Sequence, residues 1–91
     1  MIVLLCRNRV ADFQKWKVVL DSQSQSHKAA GMRLRDLWRD LSDQRNVYFV
    51  FEVDNADKAR AFISNPAWIA AGKSAGVLDD EYHFLESAPR Y

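Results

Sequence analysis

Little in this sequence invites covalent or metal chemistry. It holds one cysteine, two histidines, three glycines and two prolines in 91 residues. Cys6 by itself makes no intramolecular disulfide and no cysteine-based zinc site, and it suits a reducing, cytoplasmic setting. His27 and His83 are far apart and not at metal-ligand spacing, so no metal is expected. Charge of one sign is missing too. Thirteen basic residues meet twelve acidic ones, for a net +1, which removes the usual electrostatic pull toward nucleic acid or an anionic membrane. No apolar run is long enough to span a bilayer, and the opening "MIVLLC" meets Arg7 too soon for a signal peptide.

What is present is core material. The chain is 48% hydrophobic with eleven aromatic side chains, enough for one domain over residues 1–91, of a size that often gains stability by oligomerising. "IVLLC" (2–6) reads as a buried central strand, with "RNRVAD" leading into a helix capped by Asp12. Phe13, Trp16, Leu20, Gln23 and His27 follow at helical spacing, Gly31 stands where a glycine ends a helix, and "DSQSQS" weakens the middle near residue 22.

"MRLRDLWRDL" (32–41) and "NVYFVFEV" (46–53), joined by "SDQR", form a hairpin. The expected register sets Leu41 opposite Asn46, Arg39 opposite Tyr48, Leu37 opposite Val50 and Arg35 opposite Glu52. It gathers Met32, Leu34, Trp38, Val47, Phe49, Phe51 and Val53 on one face, along with Asp36 and Asp40. Asp54 or Asn55 caps a helix over "ADKARAFIS", Asn65-Pro66 restarts it, and residues 77–86 make a last strand.

The order β-α-β-β-α-β is the split arrangement of α+β, ferredoxin-like folds. Right-handed crossovers put the helices on one face of an antiparallel sheet. The other face is bare, carries Leu37, Leu41, Val50 and Tyr48 among charges, and calls for a cover. A second copy of the chain is the simplest one.

Familiar motifs fail on context. Gly72-Lys73-Ser74 ends like a P-loop, but Ala67 stands where the first glycine belongs, with a helix in front instead of a strand. "NVYFVFEV" has the aromatics of an RNA-recognition strand without its glycine or basic residue. "RNRVAD" lacks the arginine-bearing glycine loop of acylphosphatases. The charges of residues 33–40 read as edge protection.

Asp36 is the sharper clue, since a carboxylate on an apolar sheet face is costly unless paired, hydrated or used. Asp36 and His27 are the candidate proton acceptors. Trp16, Gln23, Trp38 and Trp68 are the candidate lining of an apolar small-ligand pocket between helices and sheet.

"DFQKWKVVLDS…HKAAGM", "LWRD…NVYFVFEVDNADKARAFISNPAW" and "AGV…EYHFLES" resemble small proteins of the dimeric α/β-barrel superfamily, among them the antibiotic-biosynthesis-monooxygenase-like domains. The resemblance covers nearly the whole chain. It implies a homodimer whose bare sheet faces close into a barrel, with a ligand held between helices and sheet in each subunit. It also implies cofactor-free oxygenation or polyketide-cyclase-like chemistry on an apolar or aromatic small molecule, with no cofactor. Relatives often carry histidine at the places of Gln23 and Trp38, and this sequence departs at both. Asn8, Trp68 and His83 supply the residue types of the haem-degrading members in unmatched local contexts, so that activity is not implied.

Overall fold

The computed structural model describes residues 1–90. Four strands form one antiparallel sheet in the order β2-β3-β1-β4, with β1 at Ile2–Val10, β2 at Met32–Arg39, β3 at Asn46–Val53 and β4 at Val77–Glu86. Each crossover is a pair of helices. α1 (Phe13–Ser22) and α2 (Ser24–Ala29) join β1 to β2, and α3 (Ala56–Ile63) and α4 (Pro66–Ser74) join β3 to β4. The fold is α+β and ferredoxin-like, with both helices of the expected scheme broken in two.

Local chemistry sets these boundaries. Asp12 accepts from the Lys15 backbone N–H at 3.1 Å and starts α1. The serine- and glutamine-rich stretch lets the first crossover break at Gln23. Asn55 caps α3 by accepting from the Lys58 N–H at 2.9 Å. Asn65 caps α4 with Pro66 in its first turn. Gly31 follows α2 at φ 72° with its α-carbon close to the Asp54 side chain, a conformation and a space that glycine suits. Gly72-Lys73-Ser74 is the last turn of α4.

The core lies between the sheet and all four helices. Leu4, Cys6, Val47, Phe49 and Phe51 come from the strands, and Trp16, Leu20, Ala30, Ala59 and Ala75 from the crossover side. β1 runs to Val10 and not only to Cys6. "RNRV", expected as a lead-in, continues the alternation. Asn8 and Val10 are buried, while Arg7 and Arg9 point to the opposite face and pair with Asp79 at 2.9 and 2.6 Å. Cross-strand partners turn a polar stretch into a central strand.

The hairpin register differs from expectation. Met32 pairs with Val53 and Leu34 with Phe51, then Arg35 bulges out, and the ladder resumes with Asp36 opposite Val50, Leu37 opposite Phe49 and Trp38 opposite Tyr48. The extra residue exchanges faces for the second half of β2. Leu37 packs on the core, and the Arg39 guanidinium sits 4.2 Å from the centre of the Phe13 ring. Asp36 and Trp38 turn to the uncovered face. The regular register would have pressed the Asp36 carboxylate against buried phenylalanines, and the bulge avoids that.

The uncovered face is therefore built differently from the expected one. Leu37 leaves it, Leu41 stands 94% exposed in the hairpin loop, and Trp38, Tyr48, Val50, Leu5, Val3 and Leu85 form a diagonal apolar band across the four strands, flanked by Arg7, Asp36, Glu52 and His83.

Candidate ligand cavity

Beneath the helices lies a cavity of about 50 Å³. Phe49 of β3 forms its floor. Trp16, Val19 and Leu20 of α1 wall one side, and Trp68 with Ala71 and Ala75 of the α4 segment the other. Four polar side chains reach it: Asn8, Gln23, His27 and Tyr82. Asn8 comes from β1 and Tyr82 from β4, while an amphipathic stripe brings in Gln23 and His27, because Trp16, Leu20, Gln23 and His27 recur at three- and four-residue steps.

Asn8 was not foreseen as a site residue, because "RNRV" gives no sign that its second residue is buried. It is 5% exposed. With its amide turned to satisfy its neighbours, the oxygen accepts from Trp16 Nε1 at 3.1 Å, and the nitrogen donates to the Arg7 carbonyl at 3.0 Å and to the Tyr82 hydroxyl at 3.3 Å. Asn8 thereby ties α1, β1 and β4 together. Burial, and then the charge of Asp80, raises the Tyr82 phenol well above its usual range, so it stays protonated. Burial likewise raises the Cys6 thiol, which rests under the sheet with Sγ 3.8 Å from the Leu4 carbonyl. That thiol is inert.

His27 is 4% exposed and enclosed by aromatic rings. Its centroid lies 4.9 Å from that of Phe51, 5.7 Å from Trp68 and 6.0 Å from Phe62. Burial lowers its pKa, so the imidazole is neutral at pH 7. Its Nε2 has no hydrogen-bond partner, the only such buried side-chain nitrogen or oxygen among the described residues.

Of the residues singled out in the sequence, Trp16, Gln23, His27 and Trp68 meet at this cavity. Asp36 and Trp38 do not. Both lie on the far face of the sheet, about half exposed, with Asp36 beside Arg35 at 3.6 Å. The bulge at Arg35 is the reason. His83 is on that far face as well, 3.6 Å from Glu81, and so is separated from Asn8 and Trp68 by the thickness of the sheet.

An outer cleft of about 250 Å³ adjoins the cavity and shares Trp68, Gly72 and Tyr82 with it. Trp68 and Tyr82 stand between the two, ring centroids 6.1 Å apart.

Comparison with known proteins addresses the fold. A protein assigned to the antibiotic biosynthesis monooxygenases from Bordetella bronchiseptica superposes with a TM-score of 0.77 at 12% identity, covering 97% of each chain. The fold is that of the antibiotic-biosynthesis-monooxygenase-like small domains. Another protein with that assignment, from Deinococcus radiodurans, gives a TM-score of 0.69 at 17% identity over 100% of this chain and 96% of its own. An uncharacterized NIPSNAP domain protein from Burkholderia xenovorans gives 0.68 at 19% over 100% and 98%. No protein-family model and no curated protein sequence matches the chain. Among the described residues, no helix is long and apolar enough to cross a membrane.

Proposed function

We propose that the chain is a homodimeric small-ligand protein, each subunit holding an apolar or aromatic molecule between its helices and sheet. The observation that carries this reading is the cavity itself, with Trp16, Phe49 and Trp68 as aromatic walls and the unpaired His27 imidazole in its lining. A small-molecule site typically has this mostly apolar lining with a few convergent polar groups. The cavity is small, about a third of the roughly 150 Å³ that accepts benzene elsewhere. Rotation of Trp68, which lines both, would connect the cavity to the outer cleft of about 250 Å³ and give a larger ligand room.

The uncovered sheet face supports the dimer. Trp38, Tyr48 and Leu85 are 50%, 36% and 45% exposed there, and an apolar band of this kind needs a partner of the same character. A twofold axis meets that need with one surface.

One feature favours an enzymatic version, cofactor-independent oxygenation or cyclase-like chemistry on an aromatic substrate. His27 is a neutral imidazole in the cavity lining, with a ring nitrogen able to accept a proton, although its burial among rings opposes the charged form. Asp36, on the other face, has no route into this cavity, so the acceptor role falls to His27 alone.

The test is thermal unfolding of the purified dimer with flat aromatic molecules. A ligand at ten times its Kd should add about 1.4 kcal/mol and raise Tm by several degrees, with the effect lost in Trp16→Ala. A full aromatic panel that leaves Tm unmoved would end the ligand reading.

A further inference from the structure

The proposed site has a polar edge with a definite character. Gln23 and His27 sit one helical turn apart, the His27 N–H donating to the Gln23 carbonyl at 3.0 Å, so both side chains rise from the same face of the α1–α2 junction. Both line the inner cavity. The Gln23 side chain makes no capping hydrogen bond, and His27 Nε2 is the buried orphan. An orphan of this kind in a well-packed interior needs an explanation.

The other polar groups do not supply one. Both N–H bonds of the Asn8 amide are taken by Arg7 and Tyr82, and its oxygen by Trp16. Tyr82 is bound to Asn8 and lies on the side toward the outer cleft. Gln23 and His27 are left as the hydrogen-bonding groups without partners at the inner end, with Nε2 shielded until a neighbouring ring such as Trp68 moves.

Charge is the second constraint. No lysine, arginine, aspartate or glutamate lines the inner cavity, so an ionised group placed there would be buried without compensation. Lys73, Asp79 and Asp80 border only the outer cleft. Shape is the third, since Trp16, Phe49 and Trp68 present ring surfaces to a narrow space.

We propose that the buried end of the ligand is an uncharged, planar group carrying a hydrogen-bond donor and an acceptor on one edge, such as an aromatic amide or lactam, read jointly by Gln23 and His27. This rests on the ligand reading above and adds the chemical class. Gln23 supplies an amide that both donates and accepts, and the neutral imidazole lines the same cavity with its buried Nε2 unpaired. A carboxylate is rejected by desolvation. A hydrocarbon ring fits the walls but leaves Nε2 unpaired.

Three probes of similar shape separate the contributions: benzamide, benzoate and ethylbenzene, titrated into the ¹⁵N-labelled protein with the His27 ring nitrogens followed by NMR. Benzamide should bind at least tenfold more tightly than either of the others and shift the Nε2 resonance. His27→Phe and Gln23→Leu should each shrink the benzamide advantage over ethylbenzene several-fold. Gln23, half-buried at a helix junction, carries the test if the His27 variant does not fold. Ethylbenzene or benzoate binding as tightly as benzamide, or benzamide binding without moving Nε2, overturns the inference and leaves the cavity reading standing. Failure of all three probes to bind overturns both.

Discussion

Trp38→Ser examines the bulge at Arg35 and the proposed dimer together. Because Arg35 is extruded, Trp38 stands on the uncovered face, opposite Tyr48 and 50% exposed. A tryptophan buries up to about 250 Å², so roughly 125 Å² remains for a partner to cover. At about 25 cal/mol per Å² that is near 3 kcal/mol per subunit, and a twofold interface uses the residue twice. Even if imperfect coverage halves the resulting 6 kcal/mol, the dimer should weaken by about a hundredfold. The monomer fold should barely respond, since exposed substitutions usually fall within about 0.5 kcal/mol. Sedimentation equilibrium over a concentration series reads the dissociation constant directly, with the two-state unfolding midpoint as control. The dimer should weaken while binding in the inner cavity stays unchanged. A wild-type protein that sediments as a monomer at tens of micromolar would refute it. So would a Trp38→Ser variant that dimerises like the wild type, or one that loses ligand binding while remaining a dimer.

Three further outcomes are expected. The His27 pKa is lowered by burial, so the unfolded chain takes up the proton first as pH falls. Stability present above about pH 6.5 should drain away below it, by at most about 1.4 kcal/mol per pH unit; denaturant titrations at several pH values should show this slope in the wild type and its disappearance in His27→Phe. Asn8→Leu deprives Trp16 Nε1 and the Tyr82 hydroxyl of their partner and should cost about 1–3 kcal/mol, seen as a lower urea midpoint at constant slope. Gly31→Ala places a side chain at φ 72° within 3.3 Å of the Asp54 Cβ and should destabilise by about 1 kcal/mol or more; a variant as stable as the wild type would contradict the close approach.

Much of the architecture follows from short-range chemistry readable residue by residue. Asp12, Asn55 and Asn65 cap helices because their side-chain oxygens reach backbone N–H groups two or three residues on. Gly31 and Gly76 adopt positive φ where the chain turns back into the sheet. The serine- and glutamine-rich stretch splits the first crossover where its helix propensity fails. The stripe of Trp16, Gln23 and His27 marked one wall of the cavity, because a helix's inward face is a matter of spacing alone. Trp68 belongs with them only through the packing of α4.

The phase of β2 was a different matter. A regular ladder and a ladder with one extra residue both satisfy the hairpin's alternation up to Leu34. The choice between them depends on what lies across from Asp36 and on what the helices press against Leu37. Those neighbours come from distant parts of the chain, so Asp36 and Trp38 changed sides for a reason that no local window contains. Asn8 was hidden for the same cause: a polar residue among arginines has the look of a loop until Trp16 and Tyr82 converge on its amide. The sequence alone decided where the helices begin and end, because caps, turns and periodicity act over a few residues, but not that β1 runs on to Val10. Only the packed tertiary structure decided which side chains share a face and which polar atoms remain unpaired, because burial and hydrogen bonding are settled between segments.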